Sequence, residues 1–484
     1  MSSETTENIK IPYPTEGIIR SAQLNGTVSP EDSVELAINM HFDQIGSATT
    51  RLGMAEYADD LSGSIKSFGT LNIQGGIKRL YGQVGTDVSV WNGTTWTSVR
   101  TTTTSNKARY SQWLNHVYMV NGVDELQASN GGAFSVISDI VPETPSMPVA
   151  DFIQAGFDGR VWLANKVSDA LYYSDIVQFT PPSTFTLTYD VSNYIKSFSP
   201  QDGESITGLF RVPKALLVFK ENHIYRVYSA NNVDAYPAYN VGTYSQESII
   251  QAKDGIYFHH SSGFYKFTYD TQPTEISRRV IDFVKAIPRS SYEDVTGVYD
   301  GYDAVKWSVG SITVDGVTYA NCQLRYTIST QIWTVYDFAD KNITALIRYD
   351  NGTTIEQVSG TSAGKVSKLD SGFTDLGDSI SYELIDQFRS FTEIYGRAKK
   401  ITGFSILSEN GGGSLFQYQV QKDNTNKWSD IGTVDERYVS MFPNAETEDF
   451  NKIRTRLQGR SKGDPIRFDG IEIIKLSDKG YNQN

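Results

Sequence analysis

At 484 residues the chain is several times longer than one hydrophobic core usually organises, so several domains or a large repeat architecture are expected. Its 39% hydrophobic, 12% aromatic and 20% charged residues, with 40 Gly and 29 Tyr, exclude disorder and a collagen repeat. The formal net charge of -13 argues against a sequence-reading nucleic-acid binder, whose affinity comes largely from Lys and Arg neutralising phosphate.

The charge is uneven. From Ile380 onward there are 15 basic and 15 acidic residues, leaving 28 against 41 before it, so the whole acidic excess lies in the first four-fifths. The single cysteine, Cys322, allows neither an internal disulfide nor a Cys-based zinc site, and stability must come from packing. Five histidines are few for an enzyme of this size that relies on imidazole. No apolar run approaches the roughly 18 residues of a membrane span, and the start MSSETTENIK does not read as a secretory signal.

In chain order, residues 1–66 hold Pro12 and Pro14 and then polar, acidic stretches with little periodicity, which predicts an extended arm packed on the rest or on a neighbour. A repeat follows. Strand-like runs recur at Leu80, Val117, Val161, Leu216, Ile256, Val305 and Ile355, at steps of 37 to 55 residues. Each leads through a tight turn to a second strand, and Asn-Gly or Asp-Gly pairs at Asn92, Asn121, Asp254, Asp315 and Asn351 supply hairpin chemistry. Such a period, with alternating Val, Tyr, Trp and Phe, predicts an all-β chain with a β-propeller of about seven blades over 67–377; six or eight also fit the uneven steps. The wide step between Val161 and Leu216 points to an insertion near Pro181 to Pro200. SRRVIDFVKAIP, from Ser277 to Pro288, predicts a short helix between blades five and six. Over 378–484 six strand candidates without the blade pattern predict a C-terminal β-sandwich.

Few residues suggest chemistry. GTSAGKV at Gly360 to Val366 lacks the spacing and the hydroxyl of a phosphate loop and reads as a hairpin. Asp294, Asp300 and Asp303 around Gly301 fit no calcium-loop spacing and read as a solvated turn. NGTTW at Asn92 to Trp96 lacks the aspartate of a sialidase turn. Trp91, Trp96, Trp113, Trp162, Trp307 and Trp333 sit at strand positions, where packing between blades is favoured over a sugar-stacking platform. His259 and His260 point to opposite sides of a strand and cannot share a metal from one face. Arg278 and Arg279 read as solvated residues at a helix start. No catalytic, cofactor-binding or metal-binding residue is assigned, and the reading is of a protein that is not an enzyme and takes no cofactor.

The order of segments carries a resemblance. Asn39, Asp43, Arg51 and Gly53 form N-x3-D-x7-R-x-G; blades follow, with FDGRVWLANKVSDALYYSDI at Phe157 to Ile176, GLFRVPKALLVFKENHIYRVYS at Gly208 to Ser229 and GTYSQESIIQAKDGIYFHHSSGFYKF at Gly242 to Phe267; then comes a closing sandwich with KKITGFSI and KIRTRLQG. This layout resembles the tail hub, or packaged-DNA stabilisation, proteins and the related nozzle, or tail tubular, proteins of short-tailed bacteriophages. The resemblance implies a propeller subunit of a closed homo-oligomeric ring, usually of six, in the virion tail and assembled in the host cytoplasm. Its partners would be the portal adaptor (head-to-tail connector) above and tail fibre or needle proteins below, and double-stranded DNA would pass through the lumen without sequence recognition. The insertion near Pro181 is then expected to be a tail-fibre, needle or gate contact. Two other readings stay open: a carbohydrate-binding or glycan-cleaving propeller (adhesin or glycosidase), and a head decoration protein on the same plan.

Overall fold

The computed structural model describes residues 9–11, 16–20, 33–42, 47–136, 147–167, 170–180, 184–187, 189–196, 202–230, 232–233, 240–268, 271–389, 399–410, 414–423, 425, 427–434, 439–442, 447, 450–461, 463 and 465–478. Seven four-stranded antiparallel blades succeed one another along the chain: 65–101, 109–136, 152–196, 206–233 and 250–275 are separate sheets, 296–337 is the start of a nine-stranded sheet, and 343–369, completed by Met54–Ala58, is part of a six-stranded one. The inner strand of the seventh, Ile343–Asp350, packs beside that of the first, Ile65–Asn72, where the Thr344 hydroxyl donates to the Ile65 carbonyl at 2.6 Å. The sheets therefore close into a seven-bladed propeller. Each recurring run read from the sequence, from Leu80 to Ile355, lies in the second strand of its blade, which has a neighbour on both sides.

The hydrophobic clusters lie between blades. Leu71, Tyr81 and Val117 fill the wedge between blades one and two, Val120 and Ile153 that between two and three, and Phe219 and Phe258 that between four and five. This distribution explains why the pattern is nearly continuous in the second strands: both faces of every blade are buried against another blade. The turns follow their residue types, with one refinement. Only Asp315-Gly316 puts both residues at positive φ (50° and 78°); Asn92 and Asn351 stay at negative φ and cap the turn instead, their Oδ1 accepting from the two following threonine N–H groups.

Two expectations about domain limits are corrected. The described part of residues 1–66 is not a separate arm. Met54–Ala58 is the outer strand of blade seven, so the chain upstream of blade one closes the ring. Val34–Ile38 lies between the last strand of blade six, Ile332–Asp337, and Ser381–Asp386 of the sandwich; Ile9–Ile11 and Ala48–Thr50 pair with Ile466–Asp478. The reason is edge satisfaction: a last blade and a sandwich edge each present unpaired backbone groups that an upstream strand covers. Nor is the sandwich independent. One nine-stranded sheet runs from blade six through Val34–Ile38 into the sandwich, ending at Ser429–Val434, a strand the sequence reading missed. One core holds Trp307 and Trp333 of blade six, Phe283 of the short helix Ile281–Lys285 between blades five and six, and Phe404, Phe416 and Phe468 of the sandwich.

The irregular step in blade three has a cause. A hairpin, Gln178–Thr180 with Thr184–Thr186, is inserted between its third strand and its fourth, Tyr194–Lys196. Pro181, Pro182 and Pro200 lie outside the described residues.

Candidate functional site

Two constellations stand out, one where the propeller joins the sandwich and one in the propeller's bore. At the joint Arg51 is buried and all five of its N–H donors are used. Nη1 and Nη2 grip the two oxygens of Asp375 at 2.8 and 2.5 Å; Nη1 also reaches the Leu52 carbonyl (3.0 Å), Nη2 the Asp337 carbonyl (3.4 Å), and Nε the Asn39 Oδ1 (2.8 Å). The guanidinium lies 4.2 Å from the Phe338 ring centre. Asn39, at φ 57°, turns its amide toward the Asp337 and Ser381 carbonyls at 3.2 and 2.7 Å. Gly53 is required by space, since a Cβ there would sit 2.0 Å from the Thr374 carbonyl oxygen. Three of the four residues of the N-terminal motif thus meet at one point, where blade six, blade seven and the sandwich converge; Asp43 lies outside the described residues. Asp375, 324 residues from Arg51, carried no local signal in the sequence.

The bore is lined by the inner strands. A cavity of about 370 Å3 lies among those of blades one, two, five, six and seven. On its wall Arg109 Nε donates to Glu247 Oε1 at 2.9 Å, Arg109 Nη1 donates to the Asp151 carbonyl at 3.2 Å, and the guanidinium stacks 4.5 Å over Phe152. Lys107 Nζ stands 3.9 Å from the other Glu247 oxygen. Burial works to raise the Glu247 pKa, but Arg109 and Lys107 outweigh it and hold it down to about 2. A carboxylate locked in its ionised form does not serve as a general acid near neutrality, as glycoside hydrolysis by a carboxyl pair would ask of one of its two groups. Nothing in the sequence around Lys107, Arg109 or Glu247 marks them; the ring closure alone brings them together.

The other candidates separate. Trp162, Trp307 and Trp333 are fully buried and donate their indole N–H to the carbonyls of Phe157, Ser248 and Ile276, while Trp91 is nearly buried and Trp96 and Trp113 half-buried; four of the six are therefore core residues. His259 packs against Phe264 and Tyr292, whereas His260 on the opposite face bonds Ser262 and Asn222. Asp300 accepts three backbone N–H groups of its own turn, Asp303 pairs with Lys253 at 2.6 Å, and Asp294 faces Lys107 at 4.0 Å, so the three carboxylates do not converge. Among the described residues no cluster of three or more His, Cys, Asp or Glu side chains is arranged to hold a metal. Gly360 to Val366 spans the turn between Ile355–Thr361 and Val366–Leu369. Arg279 ties down the upstream chain through Glu16 at 2.7 Å, and Arg278 pairs with Glu275 at 3.4 Å. No helix among the described residues is long and apolar enough to cross a membrane.

By architecture the chain is a seven-bladed β-propeller merged with a β-sandwich. No protein-family model and no curated protein matches it. Solved structures similar to it include a computationally designed protein, Ika8 (12% identity, 66% of this chain, 99% of that one, TM-score 0.39), and YCF48 from Cyanidioschyzon merolae (12%, 66%, 98%, 0.37). The β-propeller domain of Cps50 (Swd1) from Myceliophteria thermophila is a further one (9%, 66%, 99%, 0.40).

Proposed function

We propose that this chain is a structural, non-enzymatic subunit of a bacteriophage tail, a hub or nozzle protein that forms a ring around the DNA exit channel below the portal and its adaptor. The observation that carries the reading is mechanical. Propeller and sandwich share one sheet and one hydrophobic core, and the upstream strands are threaded through both, which suits a wall that holds a pressurised genome. The cavity in the bore, about 370 Å3, has the volume of a small-molecule pocket, whereas the major groove of a DNA duplex alone is about 12 Å wide. Duplex therefore passes between subunits, through the lumen of a ring, and not through a single propeller. The acidic excess before Ile380 repels phosphate at short range and favours sliding over sticking. The adaptor and the fibre or needle proteins would take opposite rims of the ring.

Mass photometry and negative-stain imaging of the purified chain test this. A discrete ring, usually of six copies, is the expected result. A strict monomer at micromolar concentration, together with specific binding on a glycan array, would transfer the assignment to the adhesin class.

A further inference from the structure

The bore widens at the end where the chain enters the inner strands of blades one, two, six and seven, into a polar mouth of about 590 Å3. Lys66 and Thr344 line both this mouth and the cavity below it, so the two spaces adjoin. The charge here runs against that of the molecule. In a chain of net charge -13 the mouth holds Lys66 and Lys107 against one carboxylate, Asp294, whose side chain is 80% exposed. Neither ammonium is saturated. Among the described residues Lys66 Nζ donates to the Ser105 carbonyl alone, and Lys107 Nζ stands 3.9 and 4.0 Å from Glu247 and Asp294, beyond hydrogen-bond distance, Glu247 being engaged by Arg109 at 2.9 Å. Uncharged groups complete the wall. Among the described residues, the side chains of Asn106, Ser291, Ser311 and Asn342 line the mouth without a hydrogen bond to the rest of the chain.

We propose that this mouth binds an anionic sugar, its phosphate or carboxylate held by Lys66 and Lys107 and its hydroxyls by the amide and hydroxyl side chains around them. The volume lies in the range of about 300 to 1,000 Å3 typical of small-ligand pockets. Two cations with open donors recognise the charge, and amides and hydroxyls, each able to donate and accept, match a polyol better than an apolar ligand. The site belongs to a single subunit and does not depend on ring assembly.

Isothermal titration calorimetry on the full chain at low ionic strength tests it with four probes: glucose 6-phosphate, glucuronate, glucose and inorganic phosphate. One of the two anionic sugars is expected to bind at least about tenfold more tightly than both glucose and inorganic phosphate, the step that one charge-assisted hydrogen bond supports. Which of the two it is separates a phosphorylated from a carboxylated ligand. Lys66→Gln with Lys107→Gln should weaken that binding at least about tenfold with the melting midpoint unchanged. Should that variant lose its fold, Ser311→Leu, at an exposed position in the irregular stretch of the strand Ala304–Val314, is expected to block the same binding. Glucose binding as tightly as the anionic sugars, inorganic phosphate matching them, indifference to the substitutions, or no binding by any probe overturns the proposal.

Discussion

Replacing Arg51 by Met tests the joint between propeller and sandwich most directly. The substitution keeps a long apolar stem but removes all five N–H donors, so both oxygens of the buried Asp375 carboxylate lose their guanidinium partner, while the Asn39 amide oxygen and the Asp337 carbonyl keep the bonds they make to Asp337 N–H and the Asn39 amide. Breaking a buried pair by removing one member costs about 3 to 5 kcal/mol, because the remaining charge stays desolvated. Asp375→Leu in the Arg51→Met background removes that stranded charge, so the double variant should be more stable than Arg51→Met alone, with a coupling energy of about 2 kcal/mol. Urea denaturation followed by tryptophan fluorescence reads this out, since Trp307 and Trp333 lie in the core shared by both bodies. Arg51→Lys should recover only part of the loss, a point charge being unable to grip both carboxylate oxygens and Asn39 together. An Arg51→Met variant within about 0.5 kcal/mol of the parent, the range of ordinary surface substitutions, or two single effects that simply add, would show that Arg51 and Asp375 do not act as a clamp.

Three further outcomes follow from the geometry. Gly53→Ala places a methyl group against the Thr374 carbonyl and should cost about 3 kcal/mol or more, seen as a lowered melting midpoint; an unchanged midpoint would mean that the 371–375 segment moves freely. Gly360→Val puts its side chain into Ile65 and Phe68 where blade seven meets blade one, so loosened ring closure should appear as faster amide exchange in the strands Ile65–Asn72 and Ile343–Asp350. Burial, and less strongly the neighbouring His260, lowers the His259 pKa from 6.5 to about 3. The unfolded chain then takes up a proton below pH 6.5 that the folded one refuses, and stability falls as pH drops toward 3. His259→Phe should remove up to about 1.4 kcal/mol per pH unit from the acid slope between pH 6 and 4, and an identical slope in a pH series of denaturation curves would show His259 to be accessible.

What was legible in the sequence is what depends on neighbours along the chain. The near-continuous apolar runs report strands buried on both faces, so the second strand of each blade announced itself, and Asn-Gly and Asp-Gly pairs marked the turns because Gly tolerates positive φ there. The amphipathic Ser277 to Pro288 segment announced its helix for the same reason, its period being local. The motif Asn39, Arg51 and Gly53 was visible as a spacing, but its meaning was not: it is a buried clamp whose fourth member, Asp375, comes from the far end of the propeller.

Tertiary structure decided the rest. Met54–Ala58 reads as unremarkable sequence and becomes the strand that closes the ring, because blade seven offers an edge that only a distant segment can reach. Val34–Ile38 likewise joins blade six to the sandwich, turning two domains read separately into one body. Lys107, Arg109 and Glu247, and the unsaturated lysines at the mouth of the bore, become neighbours only when seven inner strands converge on one axis. Periodicity records which face of a strand is buried; which strand does the burying is set by closure of the chain on itself, and no local pattern encodes it.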